Sequence, residues 1–153
     1  MEKYKSWQEA KEIVENLKKE GKIIVFTNGV FDILHIGHIR LLKTAKSFGD
    51  FLILAINSDS SVKKIKGEKR PIFSLNERIE ILSAISYVDI ILSFDEETPY
   101  NLIKFLKPDI LVKGGDYKEE DVIGREFVKE VKIVPYIEGF STTKIIERIK
   151  KSL

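Results

Sequence analysis

The stretch Phe26–Leu42, FTNGVFDILHIGHIRLL, decides the fold. Its first residues close an apolar, β-branched run and its last open a run with apolar residues at helical spacing, so a strand turns into a helix here. His35 and His38, the only two histidines of the chain, flank Gly37 inside that turn. A helix start offers unpaired N–H groups and the positive end of the dipole, and a glycine lets an anion come close to the main chain. Two imidazoles aimed at the same point add hydrogen-bond donors and, if protonated, positive charge. The pair could instead share a zinc ion, but zinc usually takes a third protein ligand, and the chain has no cysteine and no further histidine. Ordinary surface or hydrogen-bonded histidines are the other alternative.

Upstream, Ser6-Trp7-Gln8-Glu9 has the S/T-x-x-E pattern of a capping box and predicts a helix carrying Trp7, Ala10, Ile13, Val14 and Leu17, stopped at Gly21. Lys22–Thr27 predicts a buried strand. Downstream, Leu41, Leu42, Ala45 and Phe48 continue a helical face that Gly49 ends, and FLILAIN at Phe51–Asn57 is a second buried strand. The loop Lys63–Pro71 follows, with six charged residues of nine, five of them cationic. Such a loop is commonly just solvated; it could also be a clamp for a phosphate-bearing ligand. Ser74-Leu75-Asn76-Glu77 repeats the capping box before Ile79, Leu82 and Ile85. Val88–Phe94 predicts a strand, Pro99–Leu106 a helix, Asp109–Lys113 a strand leading into Gly114-Gly115-Asp116-Tyr117, Val122–Glu130 a short helix, Val131–Tyr136 a strand, and Ser141 the start of a closing helix.

Short apolar strands alternating with amphipathic helices predict an α/β fold, Rossmann-like and three-layered, with an open, mainly parallel sheet and helices on both faces. At 153 residues the chain is read as one domain, residues 1–153, with an N-terminal helix over 1–21 and a core over 22–153. Ligands of such sheets sit beyond the carboxyl ends of the strands. That crevice would gather the histidine turn, the lysine loop, Lys113–Asp116 and Gly139–Thr143. Neither G-x-G-x-x-G after the first strand nor G-x-x-x-x-G-K-[ST] occurs, so phosphate binding must rest on the histidines and on Ser141-Thr142-Thr143 at a second helix start.

Hydrophobic residues make up 43% and charged residues 33%, as in a folded, charge-rich globular protein. The 26 basic and 24 acidic residues leave a formal charge of +2, which argues for neither a nucleic acid nor a membrane partner. The opening MEKYKSWQEAKE is too polar for a signal peptide and no apolar run reaches a membrane span, so a cytoplasmic protein is expected.

Taken together, T-N-G-V-F-D-I-L-H-I-G-H at Thr27–His38, Arg70-Pro71, Glu77-Arg78, G-G-D-Y at 114–117 and G-F-S-T-T-K-I-I at 139–146 resemble the HxGH nucleotidyltransferase superfamily, the group of the cytidylyltransferases, over nearly the whole chain after Lys22. Asn28 and the V-K-G-G-D-Y run at Val112–Tyr117 are most similar to the adenylyltransferase part of bacterial ADP-heptose synthases. Glycerol-3-phosphate cytidylyltransferases, which share the S-T-T signature, have R-T-E-G where this chain has Tyr136-Ile137-Glu138-Gly139. Bifunctional heptose synthases also carry a sugar kinase domain, for which 153 residues leave no room, so a stand-alone transferase is expected.

The resemblance implies transfer of AMP from ATP to D-glycero-β-D-manno-heptose 1-phosphate with pyrophosphate release, for lipopolysaccharide core synthesis; CTP with glycerol 3-phosphate is the alternative, and a non-catalytic nucleotide-binding module the third reading. A sugar 1-phosphate has a second pKa of about 6 and is already a nucleophile, so no general base is needed. The implied catalytic set is His35, His38, Lys66 and Thr142, with His38 at the bond between the α- and β-phosphates. The main chain near Thr27 and Asn28, with Gly29, Phe31, Gly37, Lys113, Ser141 and Thr143, would join His38 and Thr142 around the phosphates, Lys66 and Arg70 would draw the donor and the sugar phosphate together, and Gly114, Gly115 and Asp116 would lie against the nucleoside. Mg2+ would be held through substrate phosphates and water rather than by protein ligands. Asp32 is left as a residue that could simply cap the turn. The family is commonly homodimeric.

Overall fold

The computed structural model describes residues 2–137 and 139–153; Glu138, in the Tyr136–Gly139 stretch, lies outside them. Among these residues five strands form, close to where the apolar runs place them: β1 (Ile24–Gly29), β2 (Phe51–Asn57), β3 (Ile90–Phe94), β4 (Ile110–Gly114) and β5 (Glu130–Val134). They make one sheet in the order β3-β2-β1-β4-β5, every pair parallel. Helices α1 (Trp7–Lys19), α2 (Ile36–Ser47), α3 (Asp59–Lys66), α4 (Leu75–Ser83), α5 (Tyr100–Leu106) and α6 (Thr142–Ser152) carry the crossovers and ends. Both serine capping boxes are present, Ser6 with Glu9 and Ser74 with Glu77.

Alternate residues of each strand feed two cores. Ile24 and Phe26 of β1, Ile53 and Ala55 of β2 and Leu111 of β4 pack with Ala10 and Val14 of α1 and with Leu102, Ile103 and Leu106 of α5. Val25, Leu52, Leu54, Ile56 and Val112 face the other way, onto Leu42 and Ala45 of α2 and Leu82 of α4. This is the expected three-layer arrangement, and both faces are covered, as a parallel sheet requires. The chain's own start closes the β3 edge: Lys5 N–H donates to Ile91 O (3.0 Å) and Ile91 N–H to Lys3 O (2.9 Å). No helix of the described residues is long and apolar enough to cross a membrane.

Two local expectations change. The helix expected over Val122–Glu130 is replaced by 3-10 turns at Glu119–Asp121 and Arg125–Phe127. Gly124 lies between them at φ +89°, and a Cβ there would stand 2.8 Å from the Ile103 side chain, so the backbone presses onto α5 and breaks the helical path. The loop expected from Lys63 begins only after Lys66, because Ser58 caps α3 and carries the first lysines into its last turn, where cations suit the carbonyl end of the dipole.

β1 is the central strand, and it is here that the chain order reverses: β2 and β3 lie to one side, β4 and β5 to the other. β1 pairs with β4 only at Val25, Phe26 and Thr27, while its pairing with β2 runs on to Gly29. Beyond Thr27 and Val112 the two strands part, leaving a crevice between Asn28-Gly29 and Lys113-Gly114.

Candidate active site

That crevice opens into a cavity of about 600 Å3, lined from β1 and its turn, α2, the end of α3, β4, β5 and the start of α6. Asn28, Gly29, Phe31, His35, Gly37, His38, Lys66, Arg70, Lys113, Gly114, Ser141, Thr142 and Thr143 all border it, so most of the expected site residues converge although they come from four separate segments of the chain. Three do not. Thr27 is fully buried, its main chain pairs with β2 and β4, and its hydroxyl donates to Val112 O (2.9 Å). Gly115 lies beneath the Tyr136 ring, where a Cβ would meet ring carbons at 2.7 Å, and Asp116 is exposed beyond it. The Tyr136 ring, itself part of the cavity wall, covers Gly115.

The histidine turn is built in a way its residue types do not announce. His35 is the N-cap of α2, and its Nδ1 accepts the Gly37 N–H (3.0 Å). His38, three residues on, turns its Nδ1 back to accept the His35 N–H (3.2 Å). Two imidazoles thus perform the reciprocal capping usually done by a serine and a glutamate. The rings stack with centroids 3.8 Å apart, with Phe31 packed 4.8 Å from His38. Because each Nδ1 accepts a main-chain hydrogen, the ring proton of each neutral imidazole sits on Nε2. Burial lowers the pKa of His35; burial, with a smaller contribution from His35, lowers that of His38 to about 3. Both are therefore neutral N–H donors near pH 7 rather than the cations that protonation would make. The Gly37 amide, expected to face a phosphate, is taken up by His35.

Ser141 caps α6 by accepting the Lys144 N–H (3.1 Å), which leaves its hydroxyl hydrogen free to donate. Thr142 differs from expectation: its hydroxyl hydrogen goes to Asp32 O (2.5 Å), so in this arrangement it ties α6 to the histidine turn instead of offering a donor to a ligand. Of the cations in the lysine loop, Lys66 and Arg70 reach the cavity. Lys113 does as well; burial lowers its pKa, and its Nζ lies 5.0 Å from the Tyr117 ring centre. Phe140 lines the cavity from the expected Gly139–Thr143 loop, and Arg40, Thr44, Tyr136 and Lys144 line it without having been expected there. Arg40 and Thr44 lie three and seven residues beyond Gly37, on its face of α2, and that spacing could have signalled them. Tyr136 carries no such signal. Burial, followed by Tyr117 and Asp116, raises the Tyr136 phenol.

Arg78 is the other residue whose place could not be read. Fully buried, it donates to Phe73 O (3.1 Å), Val30 O (2.9 Å), Asn57 O (2.8 Å) and Asp59 Oδ1 (2.8 Å), joining the ends of β1 and β2 to α3 and α4. Among the described residues no group of three or more His, Asp or Glu side chains is arranged to hold a metal ion.

A parallel sheet with a donor-lined, cation-rimmed cavity at its switch point, served by an HxGH turn and a second capped helix, defines a phosphate-handling protein of the nucleotidyltransferase type. The comparisons agree: the Cytidylyltransferase-like family model matches residues 26–148, and the chain belongs to that family. A "Bifunctional protein HldE" of Sulfurimonas denitrificans is 51% identical over 149 residues, 97% of this chain and 31% of that protein. Another, of Campylobacter fetus subsp. fetus, is 54% identical over 132 residues, 86% of this chain and 29% of that protein. The chain thus spans about a third of the length of these curated relatives. A solved lipopolysaccharide core biosynthesis protein from Thermoplasma volcanium is 34% identical, with a TM-score of 0.63 over 76% of this chain and 98% of that one. A pantoate-beta-alanine ligase from Francisella tularensis, at 19% identity and TM-score 0.65 over 96% of this chain and 76% of that one, shares the fold.

Proposed function

We propose that this chain transfers AMP from ATP to heptose 1-phosphate, forming ADP-heptose and pyrophosphate for lipopolysaccharide core synthesis, as a cytoplasmic homodimer. The observation that carries the transferase part is the meeting of His35 and His38 with Ser141, Lys66, Arg70 and Lys113 around one cavity. The heptose part is supported by the HldE relatives and by the Thermoplasma lipopolysaccharide core protein.

In this reading the acceptor phosphate oxygen attacks the α-phosphorus of ATP, the bond to the β-phosphate oxygen breaks, and pyrophosphate leaves with the electron pair. The protein's part is to align two anions and neutralise the charge that grows on the α-phosphate and the leaving group. His38 Nε2–H donates at the α–β bridge and His35 Nε2–H beside it. As neutral donors fixed by their Nδ1 caps, they meet the phosphates without a proton having to be exchanged first. The Ser141 hydroxyl donates to the outer phosphates, Lys66 and Arg70 draw donor and acceptor together, and Lys113 with Gly114 borders the nucleoside side. Among the described residues no carboxylate lines the cavity; Mg2+, held by phosphate oxygens and water, would supply further charge neutralisation.

Pyrophosphate release, measured with ATP and CTP against heptose 1-phosphate and glycerol 3-phosphate, tests the reading. ATP with the heptose phosphate is expected to be the productive pair. Turnover only with CTP would replace the adenylyl reading by the cytidylyl one, and tight ATP binding without turnover on any acceptor would replace it by a binding module.

A further inference from the structure

Phe31 at φ +53° and Ile33 at φ +51° both adopt left-handed backbone, a conformation that residues with a Cβ avoid and β-branched ones avoid most. Between them stands Asp32. Its side chain is fully buried and does not line the cavity, yet it reaches a segment 40 residues away, accepting the N–H of Ile72 at 2.6 Å and of Phe73 at 2.9 Å. Its carbonyl oxygen accepts the Thr142 hydroxyl. One residue thus links the histidine turn, the far end of the lysine loop and the first turn of α6.

Two residues before the first of those amides is Arg70, which does line the cavity. Its Nε lies 3.9 Å from Asp32 Oδ2, too far for a hydrogen bond, and among the described residues it is a buried nitrogen with no partner. Burying a carboxylate is unfavourable unless charge and hydrogen bonds compensate it. Here two main-chain N–H groups supply the bonds and the guanidinium supplies the charge. With Nε nearest Asp32, the two Nη groups of Arg70 remain as a fork for a second anion.

We propose that Asp32 is a positioning residue that acts through Arg70, holding the guanidinium at the cavity so that it engages the phosphates of the ligand. The strained backbone at Phe31 and Ile33 is the conformation that brings the carboxylate to the 72–73 main chain while leaving His35 and His38 at the mouth of α2.

Only the choice of ATP as ligand rests on the transferase reading, so the experiment measures ATP binding by calorimetry beside turnover. Asp32→Asn keeps the volume and one acceptor oxygen but removes the charge. It is expected to weaken ATP binding at least about tenfold, as is Arg70→Ala. In the Arg70→Ala protein the same Asp32→Asn change is expected to add no more than about threefold, because the two residues act in series. Equal penalties in both backgrounds, or wild-type binding by Asp32→Asn, overturn the proposal.

A second readout leaves Asp32 untouched. Saturating ATP slows amide exchange at Ile72 and Phe73 in the wild-type protein and not in Arg70→Ala; exchange that responds equally in both, or in neither, overturns the proposal. A wild-type protein that binds ATP with this pattern but releases no pyrophosphate overturns the transferase reading and supports the role of Asp32. One that binds neither ATP nor CTP overturns both.

Discussion

Gly37→Ala separates the stability of α2 from the chemistry of its first turn. A Cβ at position 37 would stand 2.8 Å from His35 Cε1 and 3.0 Å from its Nδ1. Carbon atoms settle at about 3.5 Å or more, so the imidazole must retreat by about 0.7 Å. It cannot slide toward His38, whose ring is stacked 3.8 Å away, and retreat stretches the Gly37 N–H bond to Nδ1, now 3.0 Å. Weakening that cap costs about 1 kcal/mol, and replacing glycine by alanine in a helix returns about 0.5–1 kcal/mol. Stability is expected to stay within about 0.5 kcal/mol of wild type. A misplacement of this size at a reacting centre, by contrast, is expected to lower kcat by about 30- to 100-fold. Thermal unfolding beside steady-state pyrophosphate release measures both. A variant with wild-type Tm and kcat within about threefold of wild type would refute the assignment of His35 to the reacting phosphates.

Four shorter predictions follow from the same geometry. His38→Ala is expected to fold and to lose at least about a hundredfold in turnover, the scale of removing one transition-state donor; full activity would contradict it. Lys66→Ala is expected to raise KM for the phosphates and lower kcat together, and unchanged kinetics would return Lys66 to a solvated surface role. The lowered His35 pKa and the His38 value of about 3 mean that the unfolded chain, with histidines near about 6.5, binds more protons than the folded one between those limits. Stability is then complete above about pH 6.5 and declines toward pH 3; His38→Gln is expected to flatten the decline, and equal Tm losses from pH 7 to pH 5 in both proteins would refute it. Arg78→Met strands the Val30 and Asn57 carbonyls and is expected to cost about 3 kcal/mol, a fall of about 6–12 °C in Tm; a fall under about 3 °C would refute it.

What could be read in the sequence was whatever depends on neighbours in the chain. FLILAIN at Phe51–Asn57 declares a strand buried on both faces, Ser6 and Ser74 declare their helices, and the histidine turn falls where strand gives way to helix. What depends on distant partners stayed hidden. The role of Asp32 requires amides 40 residues away, Arg78 gathers carbonyls from three segments, and Gly124 refuses a helix because of Ile103. Thr27 by its place near the strand end and Thr142 by its type look like phosphate ligands, yet the Thr27 main chain pairs with β2 and β4 and the Thr142 hydroxyl hydrogen goes to the Asp32 carbonyl. The capping by His35 and His38 was missed for a different reason: imidazole seldom serves as an N-cap, so residue type gave no hint of it.

The same ring nitrogens that end α2 also decide where each imidazole carries its hydrogen. Helix boundary and proton inventory are therefore one structural variable. A substitution that lets the first turn of α2 fray would also scramble the tautomers, and selection for a firmer helix start would sharpen the donors at no separate cost.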